Sequence, residues 1–379
     1  MAKERITYLD MAKGVGILLV ILGHEADLPL AARRFVTSFH MPLFFILSGM
    51  AVCLTGEKER PFSQILKRKS RSIMRPYFIF SVLCLIMEVF CAGALKNVLW
   101  ETVREHLWAT VCLAGASVFW FLPALFFGEL LFIGIFTRAA GLKNKGLQKS
   151  VQGNANSQTG KRRAGLCCGI IVTLLSVSAY WLHLQENVFY GRYGQFLWGN
   201  FLHLFLNAVL RVFFAMVFIA IGYAGYSLLR RLPKRRLADF CLGAVLMAAT
   251  WQISQKNGIT DMNYMVFGNI FLYAMTSVGG SFGLILLCRA VEKSAESLPG
   301  RILQYYGRNS LVVMMTHAPF YVMYVATVAM YIINNHILPL NSLLLCGGIV
   351  VGVLMIEVPI IEVLNRYFPF LLGKEKRKE

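Results

Sequence analysis

The chain has 379 residues, of which 57% are hydrophobic and only 15% charged. Soluble domains carry about 25% charged and about 45–50% apolar residues. Here apolar runs recur from end to end, so an independent soluble core is excluded. The formal net charge of +19 invites a nucleic-acid partner, but the basic residues sit in the short segments between apolar runs, which excludes one.

A spanning helix needs about 20 mostly apolar residues. Ten segments meet that demand: 10–27, 38–55, 73–94, 118–137, 164–184, 202–229, 238–255, 263–289, 309–333 and 342–365. The first is no signal peptide, because its apolar stretch is too long and no small-residue cleavage site follows it. The seventh is the weakest, since WQISQKNG follows closely. Ionisable groups inside such spans cost roughly 2.5–3.5 kcal/mol each at the helix centre, so their positions carry the functional information.

Span one holds Lys13 and His24. Eleven residues are close to three helical turns, which places the two about 20° apart on one face and about 16 Å apart along the axis. Asp10 falls on the same side, while Val15, Leu18, Leu19, Ile21 and Leu22 make the other faces apolar. The pattern suits a cation at the inner edge of a cavity and an imidazole further across the membrane. A buried, hydrogen-bonded histidine with a snorkelling lysine would read the same way. Span two opens SFHMPLFFILSGM, with His40 at its outer mouth. Pro42 near the helix start loses little by lacking an N–H, and Ser48-Gly49 permits close helix contact.

The basic run LKRKSRSIMRPY precedes span three. Arg68 and Arg71 are one helical turn apart and could grip phosphates with fork-like hydrogen bonds; Lys67 and Lys69 read as topology signal. Span three contains Glu88, and segment 95–117, with Trp100, His106 and Trp108, reads as an interfacial helix. Span four carries Trp120 and Glu129, then a polar, basic stretch at about 141–163 reads as a flexible loop. Arg211 in span six, His317 in span nine and Glu357 in span ten complete the buried ionisable set. Of these, Arg211, Glu88 and Glu357 are expected to make interhelical pairs.

Placing the N-terminus inside puts 31 of the 38 Lys and Arg on the inner side and six outside, with Arg211 inside a helix. That bias is what the positive-inside rule produces. The expected architecture is an all-α integral membrane protein of one domain, with about ten transmembrane helices and both termini cytoplasmic. Nine cysteines show no paired loop spacing, and neither CxxC nor HExxH occurs, so neither disulfides nor a metal site are expected.

With these residues placed, the chain resembles the acyltransferase-3 family of integral membrane acyltransferases. The resemblance rests on YLDMAKGVGILLVILGH (a basic residue, ten intervening residues and a histidine, at Lys13 and His24), FHMPLFFILSG, and the Arg-x-x-Arg of Arg68 and Arg71 before Pro76-Tyr77. VFWFLPALFFGELL and YYGRNSLVVMMTHAPF complete an ordered set that spans most of the chain. FHMPLFFILSG is most similar to the sugar O-acetyltransferase branch. One departure is Lys13, where the family usually has arginine; lysine keeps the charge and loses the bidentate fork.

The resemblance implies a multi-pass protein of the cell (plasma or inner) membrane. No cofactor is tightly bound, and acyl-CoA, acetyl-CoA by default, is the donor substrate. The acceptor is a hydroxyl of an envelope glycan or lipid-linked sugar. It implies His24 as general base or acyl carrier, with Arg68 and Arg71 on CoA phosphates and Lys13 assisting. Glu129 is expected to orient an imidazole or to serve as a structural hydrogen-bonder. His317 is a further candidate catalytic residue, and His40 and Trp120 are candidate substrate-binding residues. A transporter or flippase using the same buried groups is the competing reading; the lack of an internal repeat counts against it.

Overall fold

The computed structural model describes residues 6–57, 60–94, 100–139, 180–181 and 197–374, and these form helices and short connections. The fifth expected span and the polar stretch at 141–163 lie outside the described residues, apart from positions 180–181.

The first half of the chain forms α1 (Thr7–Gly23), α2 (Leu30–Thr37), α3 (His40–Thr55), α4 (Phe62–Lys69), a π-helical turn at Ser70–Met74, α5 (Arg75–Ala94), α6 (Trp100–Val111) and α7 (Phe121–Ala139). The second half forms α8 (Leu197–Leu229), α9 (Arg236–Asn257), α10 (Ile270–Ala290), α11 (Leu298–Arg308), α12 (Ser310–Thr316), α13 (Val322–His336) and α14 (Ser342–Tyr367). Several starts carry local signals. Asn269 caps α10 by accepting hydrogen bonds from the Phe271 and Leu272 amides at 2.9 and 3.2 Å. Asn341 caps α14 through the Leu344 amide at 2.9 Å. Such caps satisfy amides that have no partner in the first helical turn.

Seven helical segments among the described residues are long and apolar enough to cross a membrane: Leu30–Thr55, Phe62–Cys91, Ser117–Ile135, Phe201–Leu229, Arg236–Asn257, Ile270–Ala290 and Ser342–Tyr367. Two more expected spans take other forms. α1 is 17 residues long, about 25 Å at 1.5 Å per residue. The ninth span is broken: α12 stops after Thr316 and α13 resumes at Val322. Pro319 lies in the break and cannot donate the backbone hydrogen bond that a continuous helix requires. Tyr321 takes a left-handed φ of 59° there, rare for an aromatic residue.

α5 shows how the apolar surface is used. Phe78, Val82, Ile86 and Phe90 recur every fourth residue and are all exposed, Phe90 by 76%. An apolar stripe of that length is a liability in water and an ordinary lipid face in a bilayer. Segment 100–111 forms the expected helix α6, with Trp100 and Leu107 exposed. Inside the bundle, backbones approach closely where side chains are smallest. A methyl group on Gly49 of α3 would overlap the Ile219 carbonyl of α8, and one on Gly222 of α8 would overlap the Ile46 carbonyl of α3. A second such crossing joins α1 and α11, with Gly14 against the Leu303 carbonyl and Gly307 against that of Asp10. These two crossings fix α1 and α3, the helices that carry His24 and His40.

Candidate active site

Three helix ends bring three histidines together. His24 caps the C-terminus of α1, His40 is the first residue of α3, and His317 caps the C-terminus of α12. The rings of His24 and His317 lie with centroids 5.4 Å apart and planes tilted by 49°. The His40 ring borders the end of α1, its Nε2 within 3.9 Å of where a Gly23 methyl would stand. His24 is close enough to both other rings for charge on one to be felt by the others. Among the described residues, no three His, Cys, Asp or Glu side chains are placed to hold a metal ion.

The surroundings hold two of these rings in a defined protonation geometry. His40 Nδ1 lies 2.9 Å from the Val36 carbonyl oxygen, and His317 Nδ1 lies 2.7 Å from that of Val313. A carbonyl oxygen only accepts, so each Nδ1 carries a proton and each neutral ring keeps a lone pair on Nε2. The loop after His24 is also tied down. The Arg33 guanidinium donates to the Glu25 carbonyl and, at 2.9 Å, to that of Ala26, while Tyr331 donates to Asp27. Asp261, in the segment joining α9 and α10, acts electrostatically on both His24 and Arg211. Its carboxylate is held by the amides of Asn263 and Tyr264 at 2.7 and 3.2 Å.

A cavity of about 540 Å³, within the size range of small-molecule sites, is lined in part by residues of the same helices. Its polar lining is Asp10 and Lys13 from α1, Lys69 beside the π-turn, Glu129 from α7, and Arg308 from the end of α11. Phe44, Phe121 and Met314 contribute apolar lining toward the histidine end of their helices. Phe44 is four residues from His40 on α3, and Met314 is three residues before His317. One helical turn, about 5 Å, therefore separates these two lining residues from the histidines.

The charges lining the cavity form linked pairs. Glu129, 2% exposed, accepts from the Ser48 hydroxyl and lies 2.7 Å from Lys69 Nζ. Lys69 also lies 3.2 Å from Glu57, which takes the Arg68 guanidinium on its other oxygen. Lys13 lies 3.9 Å from Asp10, which receives Arg308 Nε at 3.3 Å. The structure thus places Glu129 with the cations of the cavity. Arg68 turns to Glu57, and Arg71 is exposed, its carbonyl packed over Gly373.

Helical spacing predicts that Arg68 and Arg71 share the working face. The face turned to the cavity is instead Lys69, Ser72 and Ile73. The chain winds wider at Ser70–Met74, and π-turns of this kind concentrate at functional sites.

The other ionisable groups expected within spans make contacts between elements. The Arg211 guanidinium sits 5.6 Å over the Trp120 ring and donates to the Ala114 carbonyl at 2.7 Å. Glu88 lies 2.7 Å from His106 of α6, and Glu357 accepts from Thr316 with 2.8 Å to each oxygen.

The acyltransferase domain family matches residues 6–358, nearly the whole chain. The chain belongs to the acyltransferase-3 family. No curated protein and no solved structure matches it. This acyltransferase-3 protein is a multi-pass membrane protein, and the matched region contains the three histidines, the cavity and every ion pair described above. Sequence reasoning missed Lys69, Glu57, Ser48 and Asp261 as members of the site. Lys69 reads with its basic neighbours as topology signal and Ser48 as a helix-contact residue; Glu57 and Asp261 carry no pattern of their own.

Proposed function

We propose that the protein is a membrane-bound O-acyltransferase that moves an acyl group, acetyl being the simplest, from acyl-CoA on the inner side to a hydroxyl presented from the outer side. A glycan or lipid-linked sugar of the cell envelope is the acceptor class that fits a membrane enzyme of this family. The observation that carries the reading is the continuity of the site. One cavity is lined by the cations Lys13, Lys69 and Arg308 and also by Phe44 and Met314, which lie one helical turn from His40 and His317.

In this reading the thioester arm enters from the inner side, with Lys13, Lys69 and Arg308 facing its anionic groups and Arg68 and Arg71 at the rim. The acyl carbon reaches the histidines, and the acceptor hydroxyl arrives past His40 and Trp120. His24, the exposed member of the cluster, takes the hydroxyl proton as the oxygen attacks the thioester carbonyl. Collapse of the adduct breaks the C–S bond and leaves the ester on the acceptor. The proton then passes from His24 to the CoA sulfur, so His24 is regenerated. General base catalysis of this kind contributes about 10²–10⁴-fold. Glu129 holds Lys69 in the cavity and Asp261 supplies negative charge near His24. The test is transfer or hydrolysis of radiolabelled acetyl-CoA by the purified protein. Wild-type activity should be lost in His24→Ala, while folding, read by gel filtration, is kept.

A further inference from the structure

His317 is the most firmly held of the three histidines, and its ring carries an unfilled acceptor. Its amide bonds to the Val313 carbonyl at 3.0 Å, its carbonyl takes the Met323 amide across the helix break at 2.8 Å, and its Nδ1 bonds to the Val313 carbonyl at 2.7 Å. The side chain is fully buried, with 0% exposure. Yet Nε2, which must be the lone-pair nitrogen of the neutral ring, has no hydrogen-bond partner. A buried acceptor left unfilled is unfavourable, so a ring pinned at three points and empty at the fourth points to a partner that arrives or rotates into place.

The groups around His317 narrow that partner. On α1, His24 is 5.4 Å away ring to ring. On α3, His40 has its own Nδ1 committed to Val36. On α5, Cys84 approaches the Pro319 carbonyl at 4.0 Å and its neighbour Glu88 is held by His106. On α14, Glu357 is engaged by the Thr316 hydroxyl, one residue before His317. His24 is the exposed and less constrained ring. A small rotation of it turns the 5.4 Å separation into a direct N–H···N bond.

We infer that His317 is a positioning residue: its Nε2 accepts a hydrogen bond from one ring N–H of His24, which leaves the other His24 nitrogen as the lone pair that meets the acceptor hydroxyl. This rests on the reading of His24 as the base. The pairing assigns the His24 tautomer, as a carboxylate does in hydrolase triads. When His24 takes the hydroxyl proton, its imidazolium keeps the N–H···N bond to His317; when the C–S bond breaks, the added proton leaves for sulfur. No net proton passes to His317. The helix break then has a function, since it ends α12 at His317 and aims the ring at the end of α1.

Two readouts test this. The first needs no turnover: ¹⁵N-histidine spectra of the full chain in lipid nanodiscs, with the His317 lone-pair nitrogen assigned by its absence in His317→Leu. That signal should carry a hydrogen-bonded shift in wild type and move to the free value in His24→Ala; a signal indifferent to His24→Ala overturns the inference. The second is kinetic, with acetyl-CoA as the probe. His317→Leu should lower kcat about 10²-fold with KM for acetyl-CoA unchanged. His317→Gln, which keeps an acceptor near the same point, should stay within about tenfold of wild type. A purely structural ring, bonded through Nδ1 to Val313, predicts loss of folded protein in both variants rather than a selective fall in kcat that His317→Gln rescues. His317→Leu turning over within twofold of wild type, or His317→Gln falling as far as His317→Leu while still folded, overturns the inference. If wild type shows no His24-dependent turnover, the acyl-transfer reading fails, and the spectra still decide the hydrogen bond.

Discussion

Replacing Lys69 with methionine removes the cation shared by two buried carboxylates. Lys69 Nζ stands 2.7 Å from Glu129 and 3.2 Å from Glu57, with side chains 13%, 3% and 5% exposed in turn. Removing one partner of a buried pair costs about 3–5 kcal/mol. Glu57 keeps Arg68 and Glu129 keeps the Ser48 hydroxyl, so we expect the low end, about 3 kcal/mol. Glu129→Gln added to Lys69→Met removes the stranded charge and should recover at least about 1.5 kcal/mol, a coupling of the size seen for residues in contact. Reversible unfolding of the four proteins in mixed micelles, followed by tryptophan fluorescence, gives the cycle. Effects additive within about 0.5 kcal/mol would refute the ion-pair account. Donor binding separates the two roles of Lys69. The double variant should regain stability and still show a KM for acetyl-CoA raised roughly tenfold or more, since the charged hydrogen bond to the donor, about 1.5–3 kcal/mol, is not restored.

Three further outcomes follow from packing and hydrogen bonding. Gly222→Leu forces a side chain into the Ile46 carbonyl, so α3 and α8 must separate; gel filtration should show aggregated or lost protein, with at least about 1–3 kcal/mol of destabilisation. Thr316→Val leaves both buried oxygens of Glu357 without the hydroxyl at 2.8 Å and should cost about 1–3 kcal/mol in the same unfolding assay, whereas Thr316→Ser should lie near wild type. Phe44→Ala opens the apolar lining of the cavity, so competition between acetyl-CoA and hexanoyl-CoA should shift toward the longer donor; an unchanged preference would place the acyl group elsewhere.

The helices were legible because their apolar runs are long, and the histidines because an ionisable side chain stands out within such a run. His24 and His317 lie nearly 300 residues apart, and the α1–α11 crossing at Gly14 and Gly307, with α12 packed on α1 beyond it, brings them within 5.4 Å. The cavity was less legible. Lys69 obeys the positive-inside rule as well as any neighbour, and the face it occupies depends on winding through the π-turn at Ser70–Met74, which helical spacing does not anticipate. Glu57 stands in a connection and Asp261 in a turn, outside every periodic pattern. The ninth span was read through its own Pro319, because hydropathy over 309–333 is blind to a five-residue break. Helix break, proline and left-handed Tyr321 together set where His317 points.

The central claim is tested most directly with purified, detergent-solubilised protein and radiolabelled acetyl-CoA, comparing wild type with His24→Ala. The account predicts label leaving CoA in wild type, onto water or an added sugar acceptor, and a loss of about 10²-fold or more in a His24→Ala protein that is still folded. Turnover by His24→Ala at the wild-type rate contradicts the account. So does a wild type that consumes no acyl-CoA of any chain length while moving a polar substrate across a sealed vesicle, an outcome that would make the same buried groups those of a transporter.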